Sequence, residues 1–238
     1  TEARLGHVRL AGEQLSLSLV FPKMPQRVDI DPAFDVLRLL DPSEQPPALN
    51  RLLGGGAWVI TPSDASEAEQ TAWQALISQW QRRYPKLRHV SDREAGDIPN
   101  DSDRLVLGWQ NRLRQTAAVA LRRQDQRLTE RAALINGTGH DAATNSLVLV
   151  NSNPQGVTTG FISSPTPEGI AMLARKLPHY GSYGQLVFDA TAERNLLKQA
   201  LSSEHSRLTR QFGEQPMTLN LPPQPVLGES PSGKLTAG

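Results

Sequence analysis

The chain has 238 residues, of which 38% are hydrophobic and 21% are charged, and its formal net charge at pH 7 is +1. A chain of this length forms one large domain or two small ones, and its near-zero charge provides no field that would recruit nucleic acid or an anionic membrane. The absence of cysteine excludes disulfides, thiol catalysis and cysteine-ligated metal sites. No apolar run approaches the roughly 20 residues of a membrane span, so we expect no direct membrane span.

Residues 1–41 are predicted to contain the terminal strands of a β-domain and a connecting turn-helix. Leu15–Phe21 alternates strictly between apolar and polar or small residues, which predicts a half-buried strand. His7–Leu10 and Gln26–Ile30 are its predicted partners, and the apolar spacing of Asp31–Asp41 predicts a short helix. Three short strands make a poor domain alone, so we expect the remainder of this β-layer to lie upstream.

Residues 42–203 alternate between strand and helix patterns and predict an α/β domain. Ser63–Tyr84 gives the clearest helix signal, because Trp73 and Trp80 lie on one apolar stripe, and Asp64 with Glu67 is the predicted capping pair. Further helices are predicted at Ala48–Leu53, at Leu113–Arg123, after a Thr166 cap, and after a Thr191 cap through Leu201. The predicted strands are Ala57–Thr61, Leu87–Val90, Arg104–Leu107, Ser146–Val150, Val157–Ile162 and Gln185–Phe188.

Strands separated by helices need crossover connections. The predicted fold class is therefore α/β, with a Rossmann-like, mainly parallel sheet in three layers preceded by a few antiparallel strands. Ser146–Ile162 differs, because two strand patterns flank the short segment Asn151–Gly156 and predict one antiparallel pair. Residues 204–238 are polar and rich in proline, which predicts an extended tail.

Six arginines occur between residues 112 and 131, interleaved with alanine and leucine at helical spacing. This pattern is typical of a solvated helix face. No aromatic residues alternate with these charges as they do on surfaces that bind nucleic acid, so we expect no nucleic-acid partner. The six residues are Arg112, Arg114, Arg122, Arg123, Arg127 and Arg131.

Metal and phosphate motifs are the first candidates for chemistry. A catalytic zinc helix carries two histidines one turn apart with a glutamate between them, and no two histidines here have that spacing, so no metal site is predicted. Gly54–Gly56 precedes a strand, whereas a phosphate-binding loop follows a strand and opens a helix. Gly137–His140 is interpreted as a turn. The histidines are His7, His89, His140, His179 and His205.

A serine-hydrolase arrangement can be drawn from Ser163 or Ser164 with His179 and Asp189. The nucleophile elbow of such enzymes is Gly-x-Ser-x-Gly, and the segment Gly160–Ser164 lacks the closing glycine. A serine that only precedes and caps the next helix is therefore favoured.

The helix–turn–strand corner at Leu173–Phe188 supplies the candidate ligand-binding residues. His179, Tyr180 and Tyr183 stand among glycines, and aromatic rings beside glycine turns often line pockets. A packed corner whose polar atoms are satisfied by backbone groups is the competing interpretation, and it is the favoured one.

Three segments resemble the C-terminal region of bacterial zinc metallopeptidases of the aminopeptidase-N type. Val28-Asp-Ile-Asp-Pro-Ala-Phe-Asp-Val-Leu-Arg38, continuing through Asp41–Pro47, is similar to the junction where their post-catalytic β-domain passes into an extra α/β domain. Leu105–Arg112 resembles a strand-end motif of that domain, and Leu173–Phe188, with Asn195 and Lys198 after it, resembles its helix–turn–strand corner. The resemblance covers about residues 8–201 in the same order.

The resemblance also has departures. Gly181-Ser-Tyr-Gly-Gln185 stands where the family has a lysine and a second tyrosine, and Gln199 stands where it has a glycine. The catalytic motif of the family matches no position here, so no catalytic residue is carried over.

The resemblance implies a non-catalytic C-terminal accessory domain of a zinc aminopeptidase-like parent. Its partners would be the upstream catalytic and β-domains of the same chain, and the zinc would belong to the parent, with no cofactor bound by residues 1–238. The family implies a periplasmic or membrane-attached location, although no signal peptide opens this sequence. The alternative is an independent hydrolase or small-ligand-binding α/β domain that uses the His179–Asp189 corner.

Overall fold

The structure, a computed structural model, describes residues 6–9, 11–31, 36–203 and 208–212. The chain separates into two compact units, one formed by Thr1–Leu37 with Leu208–Gly238 and the other by Arg38–Arg207. The described strands are β1 (Arg27–Asp29), β2 (Trp58–Thr61), β3 (Arg88–Ser91), β4 (Arg104–Leu107), β5 (Gln126–Leu128), β6 (Ala132–Ile135), β7 (Thr138–Asp141), β8 (Asn145–Ser152), β9 (Thr158–Ser163), β10 (Gln185–Asp189), β11 (Asn195–Gln199) and β12 (Thr209–Gln211). The described α-helices are α1 (Leu49–Gly55), α2 (Glu67–Arg83), α3 (Arg114–Ala120) and α4 (Pro167–Lys176).

The smaller unit contains one strand pair among its described residues, in which β1 runs antiparallel to β12. The prediction of a strand at Leu15–Phe21 is wrong, because these residues have no regular secondary structure. Their backbone groups make no hydrogen bond to any other described residue. The predictions for His7–Leu10 and Asp31–Asp41 fall partly on residue 10 and on residues 32–35, which lie outside the described residues.

A seven-stranded mixed sheet forms the centre of the larger unit, in the order β11-β10-β8-β9-β4-β2-β3. Strands β3, β2, β4 and β9 are joined by parallel pairings. Strands β9, β8, β10 and β11 are joined by antiparallel pairings. The predicted Rossmann-like, mainly parallel sheet is therefore wrong, because most of the described strand pairs are antiparallel.

The hairpin formed by β8 and β9 explains this difference. Only residues 153–157 join the two strands, and a parallel connection needs a dozen or more residues. The antiparallel pair predicted within Ser146–Ile162 is thus confirmed. Since β8 lies between β9 and β10, the strand that follows α4 pairs with β8 in the antiparallel sense.

Strand β11 replaces the helix that is predicted after Thr191. The carboxylate of Asp189 accepts hydrogen bonds from the backbone N–H groups of Thr191 and Ala192, both at 2.9 Å, and turns the chain back. Leu197 packs against the core, whereas Leu196 is 44% exposed. This alternation has the period of a strand, so the helix prediction is wrong.

The three-stranded antiparallel sheet β5-β6-β7 is not among the elements predicted from the sequence. Its second turn lies at Asn136 and Gly137, both of which have positive φ, at 51° and 79°. The predicted turn at Gly137–His140 is therefore displaced, because Thr138–Asp141 forms β7. An Asn-Gly pair between apolar runs is the strongest short hairpin signal, and the sequence contains it here.

Apolar side chains are buried on both faces of the seven-stranded sheet. On one face, α1, α2 and α4 contribute Leu52, Trp73, Trp80 and Leu173 to a first core. On the other face, α3 and the sheet β5-β6-β7 cover a second core. No helix in the described part of the chain is long and apolar enough to cross a membrane.

Helix α2 contributes two of the largest fully buried side chains to the first core, those of Trp73 and Trp80. It begins at Glu67 and is capped by Ser66 with Glu69, so the predicted capping pair of Asp64 with Glu67 is wrong. The predicted burial of Trp73 and Trp80 is confirmed, since each side chain is only 1% exposed. The indole N–H of Trp80 donates to the backbone carbonyl of Ala174 in α4 at 3.0 Å, which joins the two helices.

Replacing Trp80 should therefore destabilise the protein strongly. We expect Trp80→Ala to lower the free energy of unfolding by about 3–5 kcal/mol, because a large buried ring is lost and a cavity remains. Trp80→Phe keeps an aromatic ring in the core and loses the hydrogen bond and one ring of the indole, so its effect should be smaller. Chemical denaturation of the two variants measures this, and an unchanged midpoint for Trp80→Ala would contradict the packing of α2.

Candidate functional site

The carboxyl ends of β2 and β4 lie side by side, and we call the region just beyond them the crevice. The chain leaves β2 toward α2, on the face of the first core, and leaves β4 toward α3, on the face of the second core. Ligands of open α/β sheets bind at such a point, where neighbouring connections diverge. Gly108 lies at the wall of the crevice with a φ of 82°, and a Cβ there would lie 2.7 Å from Pro62. Only glycine fits this approach.

The floor of the crevice is filled by Asn111 and Asp92. The side-chain amide of Asn111 donates to the carbonyls of Ile60 and Leu107, each at 3.0 Å, and so bridges β2 and β4. The two carboxylate oxygens of Asp92 accept the backbone N–H groups of Ser63 and Arg112, at 3.1 and 3.0 Å. Asp92 thereby joins the loops that follow three neighbouring strands, and its side chain is used for structure.

The mouth of the crevice carries an ionic cluster centred on Asp64. Arg93 donates to one carboxylate oxygen at 2.9 Å, and Arg112 donates to the other at 3.0 Å. Arg93 also donates to the hydroxyl of Ser63 at 3.0 Å. The hydrogen bonds from Arg93 and then Arg112 hold the pKa of the Asp64 carboxyl below its ordinary value of 3.8.

A cavity of about 310 Å³ lies beside this cluster, over the carboxyl ends of β2 and β3. Inside it, the Thr61 hydroxyl is 3.0 Å from Nε2 of His89. Burial lowers the pKa of His89, and the charge of Glu94 opposes this shift only in part, so the imidazole is neutral near pH 7. The seven polar residues in its wall are Thr61, Ser63, Gln70, Gln74, His89, Ser91 and Glu94.

The Thr61–His89 pair has the spacing of a nucleophile and its base. A hydrolytic pair also needs a group that orients the imidazole and donors for a developing oxyanion. No described side chain forms a hydrogen bond with the second ring nitrogen of His89. The pair forms a cross-strand hydrogen bond between β2 and β3.

The predicted ligand-binding residues His179, Tyr180 and Tyr183 lie together at the corner between α4 and β10. His179 is exposed, and its side chain makes no hydrogen bond to the described residues. The ring of Tyr180 packs edge-on against Phe188, with 5.6 Å between centroids, and lies 5.9 Å from the ring of Tyr183. Both tyrosines therefore pack against the first core.

The backbone of the same corner caps α1. Helix α1 has no side-chain cap at Ala48. Instead, the carbonyls of Tyr183 and Gly181 accept the N–H groups of Leu49 and Asn50, at 3.0 and 2.8 Å. These bonds satisfy two N–H groups that have no partner within the helix.

Gly184 is required where the corner meets its neighbours. A Cβ on this residue would lie 2.5 Å from Leu201 and 2.7 Å from the carbonyl of Pro47. The glycine at position 184 thus permits a close backbone approach, and the tyrosines of this segment pack against the first core.

The residues of the imagined serine triad are not brought together. The hydroxyl of Ser164 lies 2.8 Å from that of Ser146. Asp189 is used in the turn before β11, and hydrogen bonds from Ala192 and then Thr191 lower its pKa. Neither serine nor Asp189 forms a hydrogen bond with His179 in the described part of the chain. Thr166, not a serine, caps α4.

Gly54–Gly56 closes α1, where Gly56 has a φ of 86°, so it releases the chain from the helix as expected. Within the described ranges, no group of three histidine, aspartate or glutamate residues could hold a metal ion.

No protein-family model matches this chain, and a search of curated proteins finds no match.

The crevice is absent from the sequence predictions, although signals for it exist. Asp64 follows one predicted strand, Asp92 follows the next, and Asn111 with Arg112 follows the third. Polar residues directly after neighbouring parallel strands meet at one edge of a sheet. The local sequence patterns instead assign Asp64 to a helix cap and Arg112 to a helix face, which separates the two residues.

The corner can be tested with two substitutions. His179→Asn should change the free energy of unfolding by no more than about 0.5 kcal/mol, because the side chain is exposed. Tyr180→Ala should lower it by about 2 kcal/mol, because a half-buried ring leaves the core. Equal losses for the two variants in chemical denaturation would contradict the assignment of the corner to packing.

Asp64 should contribute a pH-dependent part of the stability. Its folded-state pKa is depressed, so the contribution is fully present above the unfolded value near 3.8 and is lost as the pH falls through the folded-state pKa. The stability difference between wild type and Asp64→Asn should thus be constant from about pH 5 to pH 7 and shrink below about pH 4. A stability difference that grows on acidification would contradict a stabilising role for the ion pairs of Asp64.

Proposed function

We propose that the chain is a non-catalytic accessory domain of a protein that resembles the zinc aminopeptidases described above. The parent would hydrolyse N-terminal residues of peptides, and its zinc would be held by a domain upstream of this one. The accessory domain would pack against the upstream catalytic and β-domains of the same chain. A periplasmic or membrane-attached location belongs to the same proposal.

The exposed apolar side chains of the smaller unit carry this proposal. Val20 is 95% exposed and Met24 is 76% exposed, and Leu15, Leu17 and Leu19 are each exposed by 40% or more. These side chains fall within residues 15–24, and large exposed apolar patches mark contact sites for other protein surfaces. An adjoining domain would cover these side chains and would supply hydrogen-bond partners for the backbone between them.

The use of polar groups in the larger unit also favours a non-catalytic role. Asp92 and Asn111 hold loops together, Asp64 is paired with two arginines, and Asp189 forms a turn. A hydrolase needs a nucleophile, a base and an orienting group in contact. Among the described residues, the Thr61–His89 pair comes nearest and lacks the third member.

A paired substitution in the full-length polypeptide tests the attachment. Leu17→Asp with Leu19→Asp would place two carboxylates in the apolar contact, where each costs several kcal/mol if buried. We expect a lower melting temperature and faster proteolysis at the domain junction.

The control is Ser16→Asp with Ser18→Asp, which adds the same charge to the same segment on the alternate positions. Equal melting temperatures and equal proteolysis rates for the two double variants would contradict the proposed contact. In parallel, turnover of peptide or ester substrates by the isolated chain, abolished by His179→Ala, would support the independent hydrolase instead.

A further inference from the structure

The seven-stranded sheet has two edges, and the edge at β3 is protected by its own chain. On the side of β3 that faces away from β2, the backbone N–H of Leu87 donates to Tyr84 at 3.1 Å, and its carbonyl accepts from the Gln81 amide at 3.2 Å. Ser91 is satisfied in a similar way, because the Glu94 side chain accepts its N–H and the Glu94 backbone N–H donates to its carbonyl. Another strand would therefore find few open hydrogen-bonding groups at this edge.

The opposite edge, formed by β11, is open. β11 pairs with β10 on one side, and no described strand pairs with its other side. The carbonyl of Gln199 faces β10, where it accepts the N–H of Gly184. Because successive residues of a paired strand direct their backbone groups to opposite sides, Lys198 directs its N–H and carbonyl to the open side. Leu196, two residues away, lies on the same face as Lys198 and is 44% exposed.

Lysines and aromatic rings form a row beside this edge. The ammonium group of Lys198 lies 5.7 Å from the ring centroid of Tyr183. The rings of Tyr180 and Phe188 follow, with 5.9 and 5.6 Å between neighbouring centroids. The ammonium group of Lys176 lies 5.6 Å from the last ring. The row therefore connects a lysine of α4 with a lysine of β11.

Positive charge exceeds negative charge around the row, because four basic residues within residues 175–199 accompany two acidic ones. One carboxylate, that of Glu193, is shared by Arg175 at 3.3 Å and Lys176 at 3.9 Å. Lys198 forms no ion pair with any described residue. An acidic partner would balance this charge. The six residues are Arg175, Lys176, Asp189, Glu193, Arg194 and Lys198.

The same features disfavour a second copy of this chain as the partner. A bulge and a lysine on an edge strand hinder pairing between identical strands. Two antiparallel copies of β11 would bring their Lys198 side chains close together, and like charges across strands are destabilising. A strand that carries carboxylates would instead be attracted to the same lysine.

We propose that β11 binds an acidic segment of another polypeptide as an added strand. The backbone of the segment would pair with Lys198, and a carboxylate would lie beside the ammonium group of that residue. An apolar side chain two residues away in the segment would cover Leu196. Binding extends the mixed sheet by one strand and involves no chemical step. This assignment does not depend on the attachment to another domain.

Titration of the ¹⁵N-labelled 238-residue chain with a synthetic peptide tests the edge. The peptide Thr-Val-Thr-Glu-Thr-Val-Thr-Glu, with both ends blocked, alternates valine and glutamate on one face of a strand. We expect saturating amide shifts at Leu196 and Lys198. The same peptide with lysine in place of glutamate should bind at least about fivefold more weakly, because attraction to Lys198 becomes repulsion. Absence of saturating shifts up to about 5 mM peptide, or shifts confined to other elements, would overturn the proposal.

A charge reversal tests the role of the lysine. Lys198→Glu should reverse the preference, so that the lysine peptide binds more tightly than the glutamate peptide. Lys86→Glu makes the same change at an exposed position before β3, at the opposite edge of the sheet, and should leave both affinities within about twofold. An unchanged preference in Lys198→Glu would overturn the proposal.

A second pair of variants tests the backbone contact. Lys198→Pro removes the N–H on the open side, a change that an edge strand tolerates, and should abolish binding of the glutamate peptide. Lys198→Ala keeps that N–H and should retain weakened binding. Amide spectra confirm the folding of each variant. Equal binding by the two variants, or a dimer of the peptide-free chain that Lys198→Pro dissociates in sedimentation, would overturn the proposal, and the dimer would assign the edge to a second copy.

Discussion

The loops after β2, β3 and β4 are held together by the two carboxylate oxygens of Asp92, and this constraint shapes the rest of the larger unit. Because Ser63 and Arg112 donate to the same carboxylate, the connections to α2 and α3 begin from fixed points. Asn111 adds a bridge between the ends of β2 and β4. A crevice that could admit a ligand is thereby filled at its floor, and free space remains on the side of His89 and Glu94.

The corner between α4 and β10 illustrates how a distinctive sequence can serve structure. Its carbonyls cap α1, Tyr180 packs on Phe188, and Gly184 permits a close approach to Leu201. These contacts account for the tyrosines and glycines without a ligand. The proposed accessory role is consistent with them, because it requires no reactive group at this corner.

Elements with strong local signals can be predicted from this sequence, whereas strand pairing decided by tertiary contacts cannot. The Trp73 and Trp80 stripe and the Thr166 cap before Pro167 are local patterns, and both are found in the structure. The antiparallel β8–β9 pair is also predicted, from its short connection, but the pairing of β8 with β10 is not, because it joins strands that are distant in the sequence. The crevice escapes prediction for the same reason, since Asp64 and Arg112 meet only after β2 and β4 pair.

Hydrogen exchange at the backbone amides of Ser63 and Arg112 tests most directly whether the carboxylate of Asp92 holds the loops after β2 and β4 in place. We predict that both amides exchange slowly in the native state, with protection lost together in Asp92→Ala, because one carboxylate accepts both. Exchange of either amide at the rate of an open surface loop, or independent loss of protection in that variant, would contradict this constraint.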